Sequence, residues 1–177
     1  MIKGSCACGG IRFEIDAVRS MTHCHCTTCR KLTGASFATF AHVEKDKFRW
    51  LAGEALITRY ESAPGSFRAF CRICGSLAPG RAPYLATMSV PAGLLEDDPG
   101  VRPRLYVFTS SKAPWWEIND NLPLHARWVP GLRAEANLED LADPPALPLR
   151  SERTRRTDPH RRVVQPVLAA PVWNPAI

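Results

Sequence analysis

The sequence predicts an all-β fold pinned by metal rather than by disulfides. Three observations predict it. Short segments rich in β-branched and aromatic residues recur through residues 1–130, sustained helical periodicity is nearly absent there, and all seven cysteines fall into three close clusters. The clearest strand comes first, where Ile11, Phe13 and Ile15 alternate with Arg12, Glu14 and Asp16, the period of a strand with one wet face. Further strands are expected over 36–41, 47–50, 56–60, 67–70, 85–90 and 105–108. Gly53-Glu54 and Pro64-Gly65 supply turns between them. The one helical exception follows Cys26, where Thr27 or Thr28 would cap a short helix ending near Gly34.

A chain of 177 residues holds one ordinary domain with an appendage, which excludes two large domains. Hydrophobic residues at 45% and charged residues at 23% are enough to fill a core and exclude disorder throughout. No run approaches the roughly 20 apolar residues of a membrane span, and the first residues lack the apolar stretch of a signal peptide. A cytoplasmic location is therefore expected, and membrane partners are not. In that reducing compartment an odd set of seven cysteines points to metal or catalysis rather than to a disulfide framework.

The net charge of +6 raises nucleic acid as a partner, so its distribution matters. Residues 1–130 carry 16 Lys or Arg against 11 Asp or Glu, and Arg30-Lys31 is their only adjacent basic pair. Such scattered charge makes no stripe for a phosphate backbone, and nucleic acid is not expected. Composition changes after Trp128-Val129-Pro130: the final 47 residues hold seven prolines, one glycine and the run Arg150-Ser151-Glu152-Arg153-Thr154-Arg155-Arg156. Residues 1–130 are read as the domain and 131–177 as a flexible Pro/Arg-rich tail. Nothing in the pattern sets an oligomeric state.

The clusters are Cys6-x-Cys8, Cys24-x-Cys26-x-x-Cys29 and Cys71-x-x-Cys74. A tetrahedral zinc with bonds of about 2.3 Å places its sulfurs roughly 3.8 Å apart, which pairs on tight turns can satisfy. Glycine follows two clusters, as Cys8-Gly9 and Cys74-Gly75, where a positive φ would turn backbone N–H groups toward thiolates. That shared feature pairs Cys6, Cys8, Cys71 and Cys74 as a closed, structural four-thiolate shell. Burial as small hydrophobes accounts for single cysteines but poorly for close pairs.

Cys24, Cys26 and Cys29 are left with no fourth cysteine, the arrangement of a metal with one open position. Three thiolates make zinc a weak Lewis acid, ill suited to activating water and better suited to capturing an incoming thiol as thiolate. Two alternatives stay open: His23 or His25 closes the shell, or Cys26-x-x-Cys29 works as a metal-free dithiol. His42, His125 and His160 lack cysteine or acidic neighbours and are read as packing or surface residues.

These stretches resemble the glutathione-dependent formaldehyde-activating enzyme family, which also includes centromere protein V. The resemblance rests on Gly4-Ser5-Cys6-Ala7-Cys8-Gly9-Gly10-Ile11-Arg12-Phe13, on Cys24-His25-Cys26-Thr27-Thr28-Cys29-Arg30-Lys31, and on Phe70-Cys71-Arg72-Ile73-Cys74-Gly75-Ser76. A fourth stretch, Ser111-Lys112-Ala113-Pro114-Trp115-Trp116-Glu117-Ile118 with Leu122-Pro123, looks like the close of the family domain. It implies an Mss4-like β-tent of small folded antiparallel sheets, a structural zinc on Cys6, Cys8, Cys71 and Cys74, and a catalytic zinc on Cys24, Cys26 and Cys29. It also implies a carbon-sulfur lyase that adds glutathione to formaldehyde, giving an S-hydroxymethyl adduct. Arg30, Lys112 and Trp115 are candidate substrate contacts, with Arg59 a competing cation for the negatively charged site. Two further functions share these motifs: a zinc-stabilised interaction module, and an enzyme acting on another thiol or a xenobiotic aldehyde.

Overall fold

The computed structural model describes residues 1–63, 66–81 and 87–129. The proposed tail at 131–177 and the turn at Pro64-Gly65 lie outside the described residues, as do the first two residues of the strand expected over 85–90. In chain order the strands are β1 (Ile2–Ser5), β2 (Arg12–Ile15), β3 (Ser20–Cys24), β4 (Ala38–Glu44), β5 (Phe48–Ala52), β6 (Ile57–Ala63), β7 (Ser66–Cys71), β8 (Thr87–Pro91) and β9 (Pro103–Val107). The helix α1 (Thr27–Thr33) lies between β3 and β4. The strands form three small sheets, ordered β1-β2-β5, β8-β4-β3-β9 and β6-β7. This is the all-β tent of small sheets that the sequence predicts. Its ladders are antiparallel except one, since β9 joins β3 in parallel.

The alternation of β2 translates directly into packing: Phe13 and Ile15 are fully buried while Arg12 is exposed. Around them Ile2, Val18, Met21, Ala41, Val43 and Val90 bury the space between the first two sheets. Phe13 stacks on Phe48 at 5.4 Å and meets the edge of Trp50 at 6.2 Å. Each such side chain contributes roughly 1.5–3 kcal/mol by leaving water.

Two strands were not expected. Lys3 and Gly4 break any apolar alternation in β1, which is defined instead by its register with β2, Ile2 facing Ile15 and Gly4 facing Phe13. In β3 the run Ser-Met-Thr-His-Cys reads as polar, yet the strand is central in its sheet, and Thr22 is buried against a hydrogen bond of 2.9 Å to His42. A partnered hydroxyl is tolerated where a lone one is not. The helix also starts differently: neither threonine caps it, because Cys26 occupies the N-cap and its Sγ accepts the Cys29 N–H at 3.3 Å. It ends at Gly34, whose N–H bonds to the Arg30 carbonyl at 2.9 Å.

Candidate metal centres

Two turns from different sheets build the four-cysteine cluster. Cys6 follows β1 in the turn to β2, where its N–H bonds to Ile11 O at 3.1 Å and its sulfur accepts the Ile11 N–H at 3.2 Å. Cys71 ends β7, and its carbonyl accepts the Gly75 N–H at 2.8 Å, just as the Cys6 carbonyl accepts Gly9 N–H at 2.8 Å. Gly9 and Gly75 sit at φ 69° and 75°, the left-handed conformation that the repeated Cys-Gly step predicts. Ser76 Oγ fastens the turns together by accepting the Ala7 N–H at 3.1 Å.

Within the cluster the Cys6 and Cys8 sulfurs are 3.4 Å apart and those of Cys8 and Cys71 3.9 Å apart, and all four lie within 4.8 Å of one another. These spacings bracket the roughly 3.8 Å of a tetrahedral zinc-thiolate shell. The thiols compete for protons. A Gly10 backbone hydrogen bond pulls Cys8 down, but its bonds to Cys6, Cys74 and Cys71 and partial desolvation prevail and push it up to about 12. Desolvation raises Cys74, but hydrogen bonds from Ser76 and around Cys8 outweigh it and bring it to about 6. Four soft sulfur donors this close together suit a thiophilic cation whose binding displaces their protons.

The three-cysteine cluster is local. Cys24 ends β3, Cys26 caps α1, and Cys29 lies in its first turn, so one strand-to-helix corner brings the sulfurs within 4.8 Å. All three side chains are buried, packed with Ala38, Val107 and Phe108. Hydrogen bonds from Cys24 and Cys29 hold the Cys26 thiol far below its ordinary range, while Cys24 is driven up by the same sharing and by burial. Cys29 is drawn down by its bond with Cys24 but pushed up on balance to about 12 by Cys26 and by burial, and the Arg68 guanidinium opposes that rise at Cys29 and adds to the lowering of Cys26. Among the described residues these two are the clusters of cysteine, histidine or acidic side chains able to hold a metal ion.

Neither histidine joins the three sulfurs. His23 Nδ1 pairs with Thr39 Oγ1 at 2.8 Å and its ring stacks on Tyr106 at 4.8 Å. The His25 N–H holds the Val107 carbonyl at 3.0 Å, while its ring is fully buried beside Phe37 and Tyr106 with neither nitrogen hydrogen-bonded. Burial lowers its pKa, with the nearby Ser36 backbone opposing the shift. Among the described residues the cluster therefore consists of three sulfurs, with no histidine or carboxylate beside them.

The candidate contact residues separate. Arg30 Nε donates to the His25 carbonyl at 3.2 Å and so ties α1 to β3. The Lys112 ammonium donates to the Ala113 and Trp116 carbonyls, on the side of His25 rather than of the sulfurs. Trp115 is 69% exposed and borders an open recess of about 740 Å³ with Tyr106, Trp116 and Asp120. Arg59 is exposed on β6 opposite Ala69. Sequence reasoning passed over Arg68. It lies on β7, 39 residues beyond Cys29 in the chain, and borders with Cys29, Phe40, Ala78, Arg81 and Ser89 a cavity of about 50 Å³. The available signal was an arginine between Ser66 and Phe70 on one half-buried face of a strand.

Residues 1–111 match a family model described as glutathione-dependent formaldehyde-activating enzyme. The matched span holds all seven cysteines and stops before the Ala113–Ile118 stretch, although the described chain continues to pack there, with Trp128 against Phe108 at 5.2 Å. No curated protein matches the chain. Among solved structures, the crystal structure of a Rhodobacter sphaeroides protein from a structural genomics effort is similar, with 26% identity and a TM-score of 0.47 over 58% of this chain and 92% of that one. No helix among the described residues is long and apolar enough to cross a membrane.

Proposed function

Because the chain belongs to the glutathione-dependent formaldehyde-activating enzyme family, we propose that it adds a small thiol, glutathione first, to an aldehyde such as formaldehyde at Cys24, Cys26 and Cys29. The observation that carries this reading is a set of three buried sulfurs, with no fourth ligand among the described residues, beside a cavity lined by one of them. The Cys6, Cys8, Cys71 and Cys74 shell then holds a structural zinc joining two sheets. Zinc at the three-cysteine site supplies a soft Lewis acid that favours the thiolate form of an incoming thiol.

The chain's own residues do the rest. Cys24, Cys26 and Cys29 hold the soft ligand set in one corner, and Arg30 fixes that corner by bonding across it. His25, Phe37 and Tyr106 pack as an aromatic layer around the residue that separates Cys24 from Cys26. Sulfur attack on the carbonyl carbon forms the carbon-sulfur bond, and the carbonyl oxygen takes up the proton the thiol gave away. Atoms and electrons balance without an oxidant, so the reaction class is a reversible carbon-sulfur lyase. Holding both reactants in one place supplies most of the acceleration, and no strong general base is required. The domain doing this spans 1–130, with 131–177 as its tail, in a reducing cytoplasm.

The test follows glutathione and formaldehyde consumption by NMR with the metal-loaded protein. Acceleration over buffer, lost in Cys26→Ser, is expected; a rate equal to buffer overturns the reading.

A further inference from the structure

We propose that Arg68, with Arg81 beside it, receives a carboxylate of the incoming thiol, so that the site selects an anionic thiol over a neutral one. The inference rests on the thiol-binding reading above and adds the substrate feature that is recognised. Three observations converge on it.

The first is position. The cavity beside Cys29 is walled by α1, β4, β7 and β8, and its described lining includes two arginines and no acidic side chain. A ligand group entering there meets one residue of the sulfur cluster, Cys29, and two positive charges together. The second is an unmet hydrogen bond. Arg68 Nε is buried without an acceptor, whereas buried guanidinium donors are ordinarily satisfied. An acceptor that arrives with the substrate meets that need, and a carboxylate is the natural partner of the planar guanidinium fork. The third is that Arg30 and Lys112 already bond to backbone carbonyls and, among the described residues, do not line this cavity.

Size limits what enters. A cavity of about 50 Å³ exceeds the roughly 10–15 Å³ that one water needs, and is far smaller than a tripeptide. It takes one carboxylate, and the remainder of a glutathione-sized thiol stays outside. Arg81 is exposed at the same cavity and supplies a second, wetter charge.

The experiment compares glutathione with its diethyl ester, which keeps the thiol and skeleton but masks both carboxylates. Each is titrated into the cobalt-substituted protein and followed by its visible spectrum. Glutathione is expected to bind about tenfold or more tighter than the ester, as for a desolvated charge-assisted pair. Arg68→Gln should abolish that preference while leaving ester affinity nearly unchanged, Arg68→Lys should retain part of it, and Arg81→Gln should reduce it. Melts and metal content verify that each variant is folded and loaded. Equal weakening of both ligands in Arg68→Gln overturns the proposal by making the arginine a counterion of the sulfurs alone. A preference that persists in Arg68→Gln, or is absent from the wild type, also overturns it. Should Arg68→Gln fail to fold, Arg68→Lys and Arg81→Gln decide instead, and full preference in both overturns the proposal.

If neither thiol alters the wild-type spectrum, the thiol-binding reading fails, and calorimetry with S-methylglutathione judges the arginine separately. Binding lost in Arg68→Gln supports carboxylate recognition, and no binding to the wild type overturns it.

Discussion

Cys8 and Cys74 of the four-cysteine cluster stand exposed, whereas every sulfur of the three-cysteine cluster is buried. Exposure would assign the reactive role to the first cluster, and ligand count reverses that assignment. Four sulfurs from two turns are enough to close a tetrahedral shell, which would leave solvent next to the ligands but no position for a substrate. Three sulfurs from one corner, with no fourth ligand among the described residues, would leave a tetrahedral metal one position open, and burial makes electrostatics there stronger than at the surface. The clusters also differ in reach. Cys6 and Cys71 are 65 positions apart, while Cys24 and Cys29 are five apart. Metal in the first cluster therefore constrains the whole domain, and metal in the second constrains one corner.

The largest expected effect breaks the comparison directly. Cys71→Ser should lose its metal and unfold the domain, because structural zinc contributes on the order of 10 kcal/mol, comparable with the whole stability of a small domain. Cys29→Ser should keep the fold and the four-cysteine metal, losing only roughly 1–3 kcal/mol as a buried thiol becomes a hydroxyl. Thermal melts with metal analysis check both, and equal loss of melting temperature contradicts the division into structural and open sites.

Acid gives the next effect and falls on the sheet behind the open cluster. Burial, aided by Arg19, pushes the His42 pKa down to about 4. Above about 6.5 the ring is neutral whether folded or unfolded; below that the unfolded chain gains a proton that the folded chain refuses. Stability is thus lost as pH falls from about 6.5 toward 4, by about 2 kcal/mol between pH 6.5 and 5. With excess metal present, denaturant titrations over that window should slope for the wild type and flatten for His42→Gln. Parallel slopes would assign the acid sensitivity elsewhere.

The four-cysteine turns can be probed more gently. Alanine at Gly9 or Gly75 meets no atom within 4 Å, so only the left-handed backbone resists it. Each substitution should cost about 1 kcal/mol while metal stays bound. Complete metal loss in either would show that these turns tolerate no strain.

How much was legible in advance follows from distance along the chain. The cysteine pairs, the Cys-Gly steps and the alternation of β2 are local signals, and each appears in the structure as read. β3 was hidden because Thr22 and His23 look solvent-facing until partners on β4 satisfy them. The N-cap was hidden because Thr27 and Thr28 are ordinary cap residues, whereas a thiol takes that place only when drawn into a sulfur cluster. Arg68 was hidden for the plainest reason: a strand arginine acquires meaning from the sheet it faces, and the pairing of sheets is not written in spacing. Lys112 attracted attention through a neighbouring motif, yet its partners are the carbonyls of its own turn.

That contrast sets the smallest effect. Lys112→Ala removes hydrogen bonds to the carbonyls of Ala113 and Trp116, and Trp116 in turn packs on Phe37 at 5.8 Å, which touches His25. Its loss should loosen this turn by roughly 0.5–1.5 kcal/mol, the net worth of an ordinary hydrogen bond. Glutathione affinity should change less than about twofold, since this charge is spent on the carbonyls of its own turn and does not line the cavity beside Cys29. Arg68→Gln should instead cost about tenfold and flatten the salt dependence of glutathione binding, because in the proposed reading its half-buried guanidinium, whose Nε lacks an acceptor, receives the ligand carboxylate. Titrating both variants across a salt series, with Lys45→Ala as a remote control, separates the cases. Should Lys112→Ala match Arg68→Gln in affinity loss and in salt dependence, the substrate enters from the tryptophan side, and the cavity beside Cys29 is packing space alone.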